Sequence, residues 1–449
     1  MPRAAGSTIG RSRRPAFAML LVIAAVIIAS FGVVAIQSTS FGQAAAGREV
    51  LAKVRATWAA RAGIETAIAR IEFETENPES SDAFRLLDDL TADARGELAS
   101  ATFLVQTSVG KSTADGPADA HAKLNINAVT RDQLLAIEPF MSEDVADSIL
   151  DWIDTDDDTR ELGAELGYYQ SMPYPYLPRN GAMRSIGEME LVAGVDPEDV
   201  RGEDWNLNGV LDDSEDDGDA SWPPDDADGV LDAGWSGVLT AVSVDGGAAP
   251  SGEPRLDLTA TTAAELATRI EATSDQAQVV LDHVGANADA ALTDFITSSL
   301  SQLANRLITQ PDQRRRVQAL SDEQLGLLLD ETTPSADPSA AAVPGKLNIN
   351  TCDATTIELL PDIDSTLADS IIAERSGRVE GFTSIIQLLD VPGMSRQQLA
   401  GMYEIFCVRS NVYVVNCKGR DAQTGLEVEM SAVIDRSAVP VVIRDLSIR

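Results

Sequence analysis

Histidine and cysteine are both scarce in this sequence of 449 residues, which contains two histidines and three cysteines. The two histidines, His121 and His283, provide too little imidazole for a zinc site or for histidine-based catalysis. The sequence also lacks a glycine-rich phosphate loop ahead of a helix and a G-x-S-x-G segment, and no Cys/His or Ser/His pairing stands out. These absences predict a protein that is not an enzyme.

The three cysteines, Cys352, Cys407 and Cys417, cannot all pair within one chain. Cys407 and Cys417 lie ten positions apart between strand-like segments, a spacing that suits a disulfide in an oxidising compartment. Reduced, buried thiols are the alternative. The sequence leaves both states open.

Basic residues are few, with 34 Lys and Arg against 71 Asp and Glu, and the formal net charge is −37. That charge repels nucleic acid and anionic membrane surfaces, and it suits cationic or metal partners. The length leaves room for two or three domains.

An uncharged apolar run extends from Ala16 to Ile36, long enough to cross a bilayer once as a helix. Arginines precede it and predict that the rest of the chain faces outward. Apolar residues at helical spacing continue past the run, so we expect one helix over residues 17–75, half in lipid and half amphipathic. A cleaved secretory signal with a site near Ala44-Ala45-Ala46 is the alternative, although the apolar run is longer than such signals require.

A long N-terminal helix behind a short basic leader, residues 1–16, resembles type IV pilins and type II secretion pseudopilins. The resemblance implies peptidase cleavage between Ala16 and Phe17, with alanine in place of the usual glycine. It also implies a glutamate at the fifth mature position, where this sequence has Leu21. A subunit without that carboxylate is not expected to stack on another in the usual way.

The segment KLNIN occurs twice, at 123–127 and at 346–350. Further segments after each copy are also similar: VADSIL in the first corresponds to LADSII in the second, and SIGEMELVAGV corresponds to SIIQLLDVPGM. The segment RLDLTATTAAELATRI at 255–270 is a weaker third copy. Strand-like segments flank this helix-rich region. The sequence therefore predicts an α+β fold, in which a large α-helical insert with two helix-hairpin-helix or SAM-like repeats interrupts a small antiparallel sheet. The expected parts are 76–122 and 405–449 for the sheet domain, 123–345 for the first helical unit and 346–404 for the second.

The repeats resemble helix-hairpin-helix modules, which hold DNA phosphates through a glycine hairpin at a helix N-terminus. Here the hairpin positions, 139–144 and 361–366, lack glycine and carry carboxylates. We therefore expect a packing scaffold and no nucleic-acid partner. A membrane-anchored DNA-uptake receptor remains the main alternative function.

The segment DWNLNGVLDDSE at 204–215 has the spacing of an EF-hand calcium loop, with glycine, Gly209, at the sixth position for the tight turn. The predicted ligands are Asp204, Asn206, Asn208, the Val210 carbonyl, Asp212 and Glu215. No convincing helix flanks the loop, so a structural calcium site is expected. A solvated acidic loop is the alternative.

A second acidic loop places Asp154, Asp156, Asp158 and Glu165 at loop positions 1, 3, 5 and 12, but Thr159 replaces the glycine. It predicts a weaker or differently shaped calcium site. A third segment, with Asp226, Asp228 and Asp232 around Gly229, lacks ligands at positions 1 and 12 and is expected to be a solvated acidic run or a partial site.

Together these motifs resemble the K-type minor pseudopilins of type II secretion. The matching residues are the AFAMLLV anchor without an acidic fifth position, KLNIN…VADSILDWIDTDDD…GAELGYY…PYPYLPRNGAMRSIGEMELVAGV, and KLNINT…SIIQLLDVPGM. The resemblance implies a single-pass inner-membrane protein with its bulk in the periplasm, at the tip of the pseudopilus. It also implies bound calcium and contacts with other minor pseudopilins, secreted cargo or the outer-membrane channel. A secreted calcium-binding protein with no assembly partner is a third possibility.

Overall fold

The structure, a computed structural model, describes residues 14–79, 81–109, 112–137, 141–246, 249–286, 291–305, 316–334, 343–361 and 363–448. The predicted basic leader lies outside the described residues as far as position 13. The junction of Ala16 and Phe17 lies within the first helix.

The helices and strands are numbered in chain order. The helices are α1 (Arg14–Glu76), α2 (Arg85–Ala92), α3 (Arg131–Leu135), α4 (Glu143–Ile153), α5 (Leu166–Ser171), α6 (Pro197–Arg201), α7 (Ala263–Arg269), α8 (Ser274–Ala286), α9 (Thr293–Thr297), α10 (Leu300–Asn305), α11 (Asp322–Glu331), α12 (Ala354–Glu358), α13 (Ser365–Gly377) and α14 (Arg396–Met402). The strands are β1 (Arg95–Leu98), β2 (Ala101–Val109), β3 (Ser112–Asp115), β4 (Ala118–Asp119), β5 (Leu124–Asn125), β6 (Leu239–Thr240), β7 (Leu256–Asp257), β8 (Thr332–Thr333), β9 (Leu347–Asn348), β10 (Phe406–Cys407), β11 (Val412–Asp421), β12 (Glu427–Asp435) and β13 (Val442–Ile448).

Helix α1 is continuous over 63 residues, about 95 Å at 1.5 Å per residue. Its most apolar window has a mean hydropathy of 3.0 and is not buried at all, so length and composition suit it to cross a membrane. Burial begins at Ala52 and continues with Ala56, Ala59 and Ala60. These small side chains let the helix lie close to the sheet.

The main sheet has seven strands in the order β1-β2-β11-β12-β13, with β3 added to β2 and β4 added to β11. All its pairs are antiparallel. The chain leaves this sheet after β4 and returns to it at β11, so everything between is an insert. The prediction of an α+β fold with a helical insert between the strands is therefore confirmed.

The two faces of β11 have different neighbours. Tyr413, Val415 and Cys417 point toward α1 and share a core with Ile64 and Ile71. The alternate residues point away from α1, and there Val412 and Val414 pack with Ala120 and Val244. The insert therefore covers the face of the sheet that α1 leaves free.

The insert consists of three closed units. In each, a two-residue strand from the repeat pairs in parallel with a two-residue strand at the end of the unit: β5 with β6, β7 with β8 and β9 with β10. The weak copy at 255–270 therefore begins a unit of its own. One apolar core, from Leu124 to Val408, runs through all three units.

The residues of KLNIN have the same contacts in the second copy as in the first. Lys346 donates from Nζ to the carbonyl of Tyr403 (2.9 Å), and Leu347 and Ile349 are buried. Asn348 Oδ1 accepts from the backbone of Asn350 (3.0 Å). In the first copy, Lys123 donates from Nζ to the carbonyl of Ser236, and Leu124 and Ile126 are buried. Asn125 Oδ1 accepts from the backbone of Asn127.

The last asparagine of each copy binds both polar backbone atoms of one distant residue. Asn127 accepts from Met183 N and donates to Met183 O, at 2.7 and 3.0 Å. Asn350 binds Phe382 in the same way, at 2.8 and 2.9 Å. The repeated five-residue segment is thus a packing device that closes a helical unit.

The cysteines are free thiols. Cys417 is buried between the sheet and α1 near Gly63, whereas Cys407 lies in the insert with its Sγ 3.5 Å from the Lys346 carbonyl. The alternative of a Cys407–Cys417 disulfide is therefore not realised in this structure.

Candidate functional site

The loop at 204–215 has the internal hydrogen bonds of a tight cation-binding turn. Asp204 accepts from the backbone of Asn208 at Oδ1 (2.9 Å) and from that of Gly209 at Oδ2 (2.8 Å). Asn206 Oδ1 accepts from Asn208 N and Asn208 Oδ1 from Val210 N. Gly209 has φ +67°, a conformation that favours glycine, and Leu207 also has a positive φ. The turn predicted from Gly209 is therefore present.

The donor set fits a hard cation. Three carboxylates, two amide oxygens and one carbonyl are the oxygen ligands that Ca²⁺ takes. An amide oxygen that accepts one backbone N–H keeps a second lone pair for a cation. Asp204, Asn208 and Glu215 are buried, with exposed fractions of 5% or less.

Burial raises the pKa of Glu215 to about 7, and the nearby carboxylates of Asp204 and Asp212 add to this effect. Its two oxygens accept from Trp205 N and Asp212 N, which favours the charged form but does not offset the burial. A buried carboxylate beside two others is the kind of position in which a bound cation has the largest effect.

The loop lies on the face of the sheet opposite α1, and contacts with three strands hold it there. Gly209 accepts at its carbonyl from Ser108 N of β2 (2.7 Å), and Asn208 donates to Glu429 of β12 (2.9 Å). From β11, Lys418 forms an ion pair with Asp212, and Asn416 donates to the carbonyl of Asn208. The loop therefore joins the insert to the sheet.

These sheet residues carry no sequence signal that would have identified them. Lys418 and Glu429 lie more than 200 positions from the loop and face each other across β11 and β12. Lys418 is the cation that faces Asp212 in this structure.

In the second acidic loop the structure brings Asp154 and Glu165 together and leaves Asp156 and Asp158 exposed. Glu165 is 4% exposed, and burial, with Asp151 and Asp154 nearby, raises its pKa to about 7. Asp154 Oδ1 and Glu165 Oε1 are buried oxygens without a hydrogen-bond partner in the described part of the chain.

Three residues of this second loop region were not predicted. Asp151 is fully buried, and the Arg160 guanidinium lies 2.6 Å from both Asp151 Oδ1 and Asp154 Oδ2. Asn180 donates to the carbonyl of Asp156 and keeps an unpartnered buried Oδ1. Arg160 therefore supplies the positive charge among these carboxylates. Asp151 lies on α4 three positions before Asp154, a spacing that puts both on one helix face and was available as a signal.

Among the described residues, no three His, Cys, Asp or Glu side chains are gathered closely enough to hold a metal ion by themselves. The carboxylates of the two predicted calcium loops are therefore not gathered into such a cluster in this structure, and at 204–215 amide and carbonyl oxygens make up the rest of the predicted ligand set. In the third acidic segment, Asp226 and Asp228 are exposed and accept backbone N–H groups of the same segment.

At the second helix-hairpin-helix position, Asp364 caps α13. Its carboxylate accepts from the backbone of Leu367 (2.9 Å) and so occupies the helix N-terminus where a phosphate would bind. Glu143 and Asp144 occupy the first turn of α4 in the first unit.

Beyond the apolar window, α1 keeps an exposed apolar stripe. Val50, Val54 and Trp58 follow one another at four-residue spacing and are 64%, 45% and 64% exposed. Residues four apart lie on one face of a helix, so the stripe is continuous with the apolar run that precedes it.

The insert lies at the end of α1 remote from the apolar run. Gly252 of the insert packs on Pro78, and Arg409 donates to the carbonyls of Glu79 and Asp82 just after α1. Ala83 donates to the carbonyl of Glu380 in the third unit (2.9 Å). From Ile36 to this contact α1 spans roughly 60 Å.

Comparisons with known proteins give two family matches. Residues 112–202 match the family described as type II secretion system (T2SS), protein K, and residues 344–404 match the helix-hairpin-helix motif. No curated protein matches the chain.

Among solved structures, the chain is similar to one in the crystal structure of the GspK-GspI-GspJ complex from the type 2 secretion system of enterotoxigenic Escherichia coli. The identity is 14%, the TM-score 0.48, and the match covers 90% of this chain and 99% of that one. The protein K match falls on the block of 112–202 that includes the first KLNIN unit and the second acidic loop, in a chain with one long apolar N-terminal helix, an antiparallel sheet and a helical insert. The protein K match covers 91 of the 449 residues, and over that part the chain is similar to protein K of type II secretion.

Proposed function

We propose that the chain is the tip subunit of a type II secretion pseudopilus, anchored in the inner membrane by α1 with its bulk in the periplasm. The observation that carries this proposal is the position of the insert at the end of α1 remote from the apolar run. A body of about 290 residues at that end occupies the space in which a further subunit would stack. Its role is structural, not catalytic.

The exposed stripe of α1 supports contacts with other minor pseudopilins. Val50, Val54 and Trp58 are apolar side chains in water unless another helix covers them. The absence of a carboxylate at Leu21 leaves no acidic group in the apolar run for a neighbour's N-terminal amine. Such a subunit has helix neighbours below it and none above. Its membrane-distal insert is then the part that can reach secreted cargo or the outer-membrane channel.

Cross-linking tests this position. A photo-reactive residue at Trp58 should give adducts with other minor pseudopilins and none with a second copy of this chain. The same residue at Tyr174, which is 89% exposed on the insert, is the control and should not cross-link to shaft subunits. Adducts between two copies of this chain from both Trp58 and Tyr174 would place it along the shaft and would contradict the proposal.

Calcium belongs to the same proposal. Bound at 204–215, it would be held by Asp204, Asn206, Asn208, the Val210 carbonyl, Asp212 and Glu215. It would offset the repulsion among the three carboxylates and stiffen the contact between insert and sheet. At the second loop, Asp154 and Glu165 are the predicted ligands with free buried oxygens, and Asn180 adds a third such oxygen.

The helix-hairpin-helix match at 344–404 favours one other candidate function, DNA binding during uptake. The carboxylate cap of Asp364 and the net charge of −37 both oppose it. The tip role therefore remains the function that the geometry supports best.

A further inference from the structure

A cavity of about 100 Å³ lies where the insert, the end of α1 and the sheet meet. A cavity of this size has room for a small polar molecule. Thr75 and Pro78 contribute from the end of α1, and Phe406 and Val408 from the return of the insert to the sheet.

The walls carry an excess of positive charge in a strongly acidic protein. Four cationic side chains line the cavity, Arg255, Lys346, Arg409 and Arg436, against two carboxylates, Asp245 and Asp330. The insert supplies the first two cations, and the segments that lead into and out of the sheet supply the others. Such a cluster is unfavourable unless something negative lies among its members.

The carboxylates do not neutralise these cations fully. Arg255 is 3.5 Å from Asp245, while Lys346 bonds the Tyr403 carbonyl and lies 3.6 Å from Glu404. Arg409 bonds backbone carbonyls and has no ion pair among the described residues. Burial and then the proximity of Arg436 lower the pKa of Arg409, while Tyr413, Asp82 and Glu79 act in the opposite direction without offsetting them.

Polar atoms at the cavity walls are left without partners. Arg255 Nε and Arg409 Nε are buried N–H groups with no acceptor among the described residues. His121 is 1% exposed and lines the same cavity, and its Nε2 also has no partner. An unsatisfied buried polar group costs about 1–3 kcal/mol, so a ligand or an ordered water that pairs with these three groups would be stabilised at this cavity.

The chemistry of His121 narrows the class of ligand. Its Nδ1 is 2.7 Å from the Lys346 carbonyl, which can only accept, so Nδ1 carries the proton. When Nδ1 carries the only ring proton, Nε2 is an acceptor and suits a ligand oxygen that bears a proton. Sulfate and carboxylate anions have no such proton at neutral pH, whereas hydrogen phosphate does.

We propose that this cavity binds one hydrogen-phosphate-type oxyanion, which accepts hydrogen bonds from Arg255 and Arg409 and donates one to His121. The anion would join the insert to the pseudopilin domain on the side near the end of α1. A headgroup of the anchoring membrane is excluded as the source, because the cavity is roughly 60 Å along α1 from the apolar run.

Equilibrium dialysis of the full chain in detergent against labelled inorganic phosphate tests the proposal, at a fixed calcium level below the solubility limit of calcium phosphate. We expect saturable binding of about one phosphate per chain and a rise in Tm of about 4 °C at saturation. Sulfate, acetate and chloride at equal ionic strength should neither compete nor raise the Tm. Competition by glycerol phosphate would identify a phosphate monoester as an equally good source, and its absence would restrict the site to the inorganic ion.

Two variants separate the site from non-specific binding. Arg255→Gln should weaken phosphate binding at least tenfold, whereas Arg396→Gln, a surface arginine paired with Asp322 away from the cavity, should leave it unchanged. His121→Asn keeps a donor for the Lys346 carbonyl but removes the Nε2 acceptor, so sulfate should now compete with phosphate. Absence of phosphate binding, or equal binding of sulfate by the unmodified chain, would overturn the proposal, as would unchanged binding in a folded Arg255→Gln variant.

Discussion

At the scale of single residues, the asparagine that ends each KLNIN segment has the same role in both copies. In both copies, one side-chain amide satisfies the N–H and the carbonyl of a residue more than thirty positions away. Asparagine suits this role because its amide presents a donor and an acceptor side by side. Thr259 stands at the corresponding place in the middle unit, which begins at β7, and there only the Asp257 turn is kept.

Asn350→Ala should lower the free energy of unfolding by about 3 kcal/mol, because it leaves buried backbone groups of Phe382 and Val408 without partners. Urea unfolding followed by circular dichroism measures this change. Asn77→Ala, which removes an exposed bond to the Phe73 carbonyl, is the matched control and should change stability by less than about 0.5 kcal/mol. Equal effects of the two substitutions would contradict the role assigned to Asn350.

At the scale of elements, the contact between α1 and β11 depends on small residues on both sides. A Cβ on Gly419 would lie 2.0 Å from the Ala56 carbonyl oxygen and 2.4 Å from Ala60 N. Both are backbone atoms of a helix and cannot move aside alone. The close approach of helix and strand therefore requires glycine at this position.

Gly419→Ala should destabilise the sheet domain by about 3 kcal/mol, because α1 must separate from the sheet to admit the methyl group. Thermal unfolding of the purified chain is the measurement. Gly401→Ala offers a contrast within α14, where no atom lies within 4 Å of the added Cβ. There we expect no loss, and a gain of up to about 1 kcal/mol from helix propensity.

The loop at 204–215, the predicted calcium site, is the second element whose role can be tested by thermal unfolding. Calcium should raise the Tm of the chain by about 5 °C at saturation, and magnesium should have a much smaller effect because it prefers fewer, more regular ligands. Glu215→Gln and Asp204→Ala should abolish most of the rise.

Asp232→Asn, in the third acidic segment, serves as the control for this titration and should keep the full rise. If calcium does not change the Tm of the chain, the metal is not part of the proposed function. That result would not affect the proposal that the chain lies at the tip. A rise that survives Glu215→Gln but not Glu165→Gln would assign the calcium to the second loop.

At the scale of the whole molecule, charge separates the two candidate functions. A fragment match to a DNA-binding motif predicts affinity for phosphates, whereas a net charge of −37 predicts repulsion. We expect no gel shift with double-stranded or single-stranded DNA at about 50 to 150 mM salt. A shift that disappears on raising the salt would show that the insert binds phosphates and would favour the uptake receptor.

Local features could be predicted from the sequence because each depends on a short segment of it. The apolar run, the continuous helix, the repeats and the 204–215 turn depend on composition and spacing over at most a few tens of residues. The sequence also placed an insert between strands, since strand-like segments flank the helical region. It treated 123–345 as one unit with a weaker copy inside, whereas the short parallel pair of β7 and β8 closes a separate unit there.

Contacts between distant parts of the chain were decided only by the tertiary structure. Lys418, Asn416 and Glu429 contact the loop at 204–215 across more than 200 positions, and the state of Cys407 and Cys417 followed from their placement in different layers. The same holds for the cavity, where Arg255, Lys346, Arg409 and Arg436 converge from four separate segments. Spacing in the sequence specifies a turn or a helix face, but the neighbours of that face depend on how the layers pack. Here the packing places four cations of an acidic chain around one cavity.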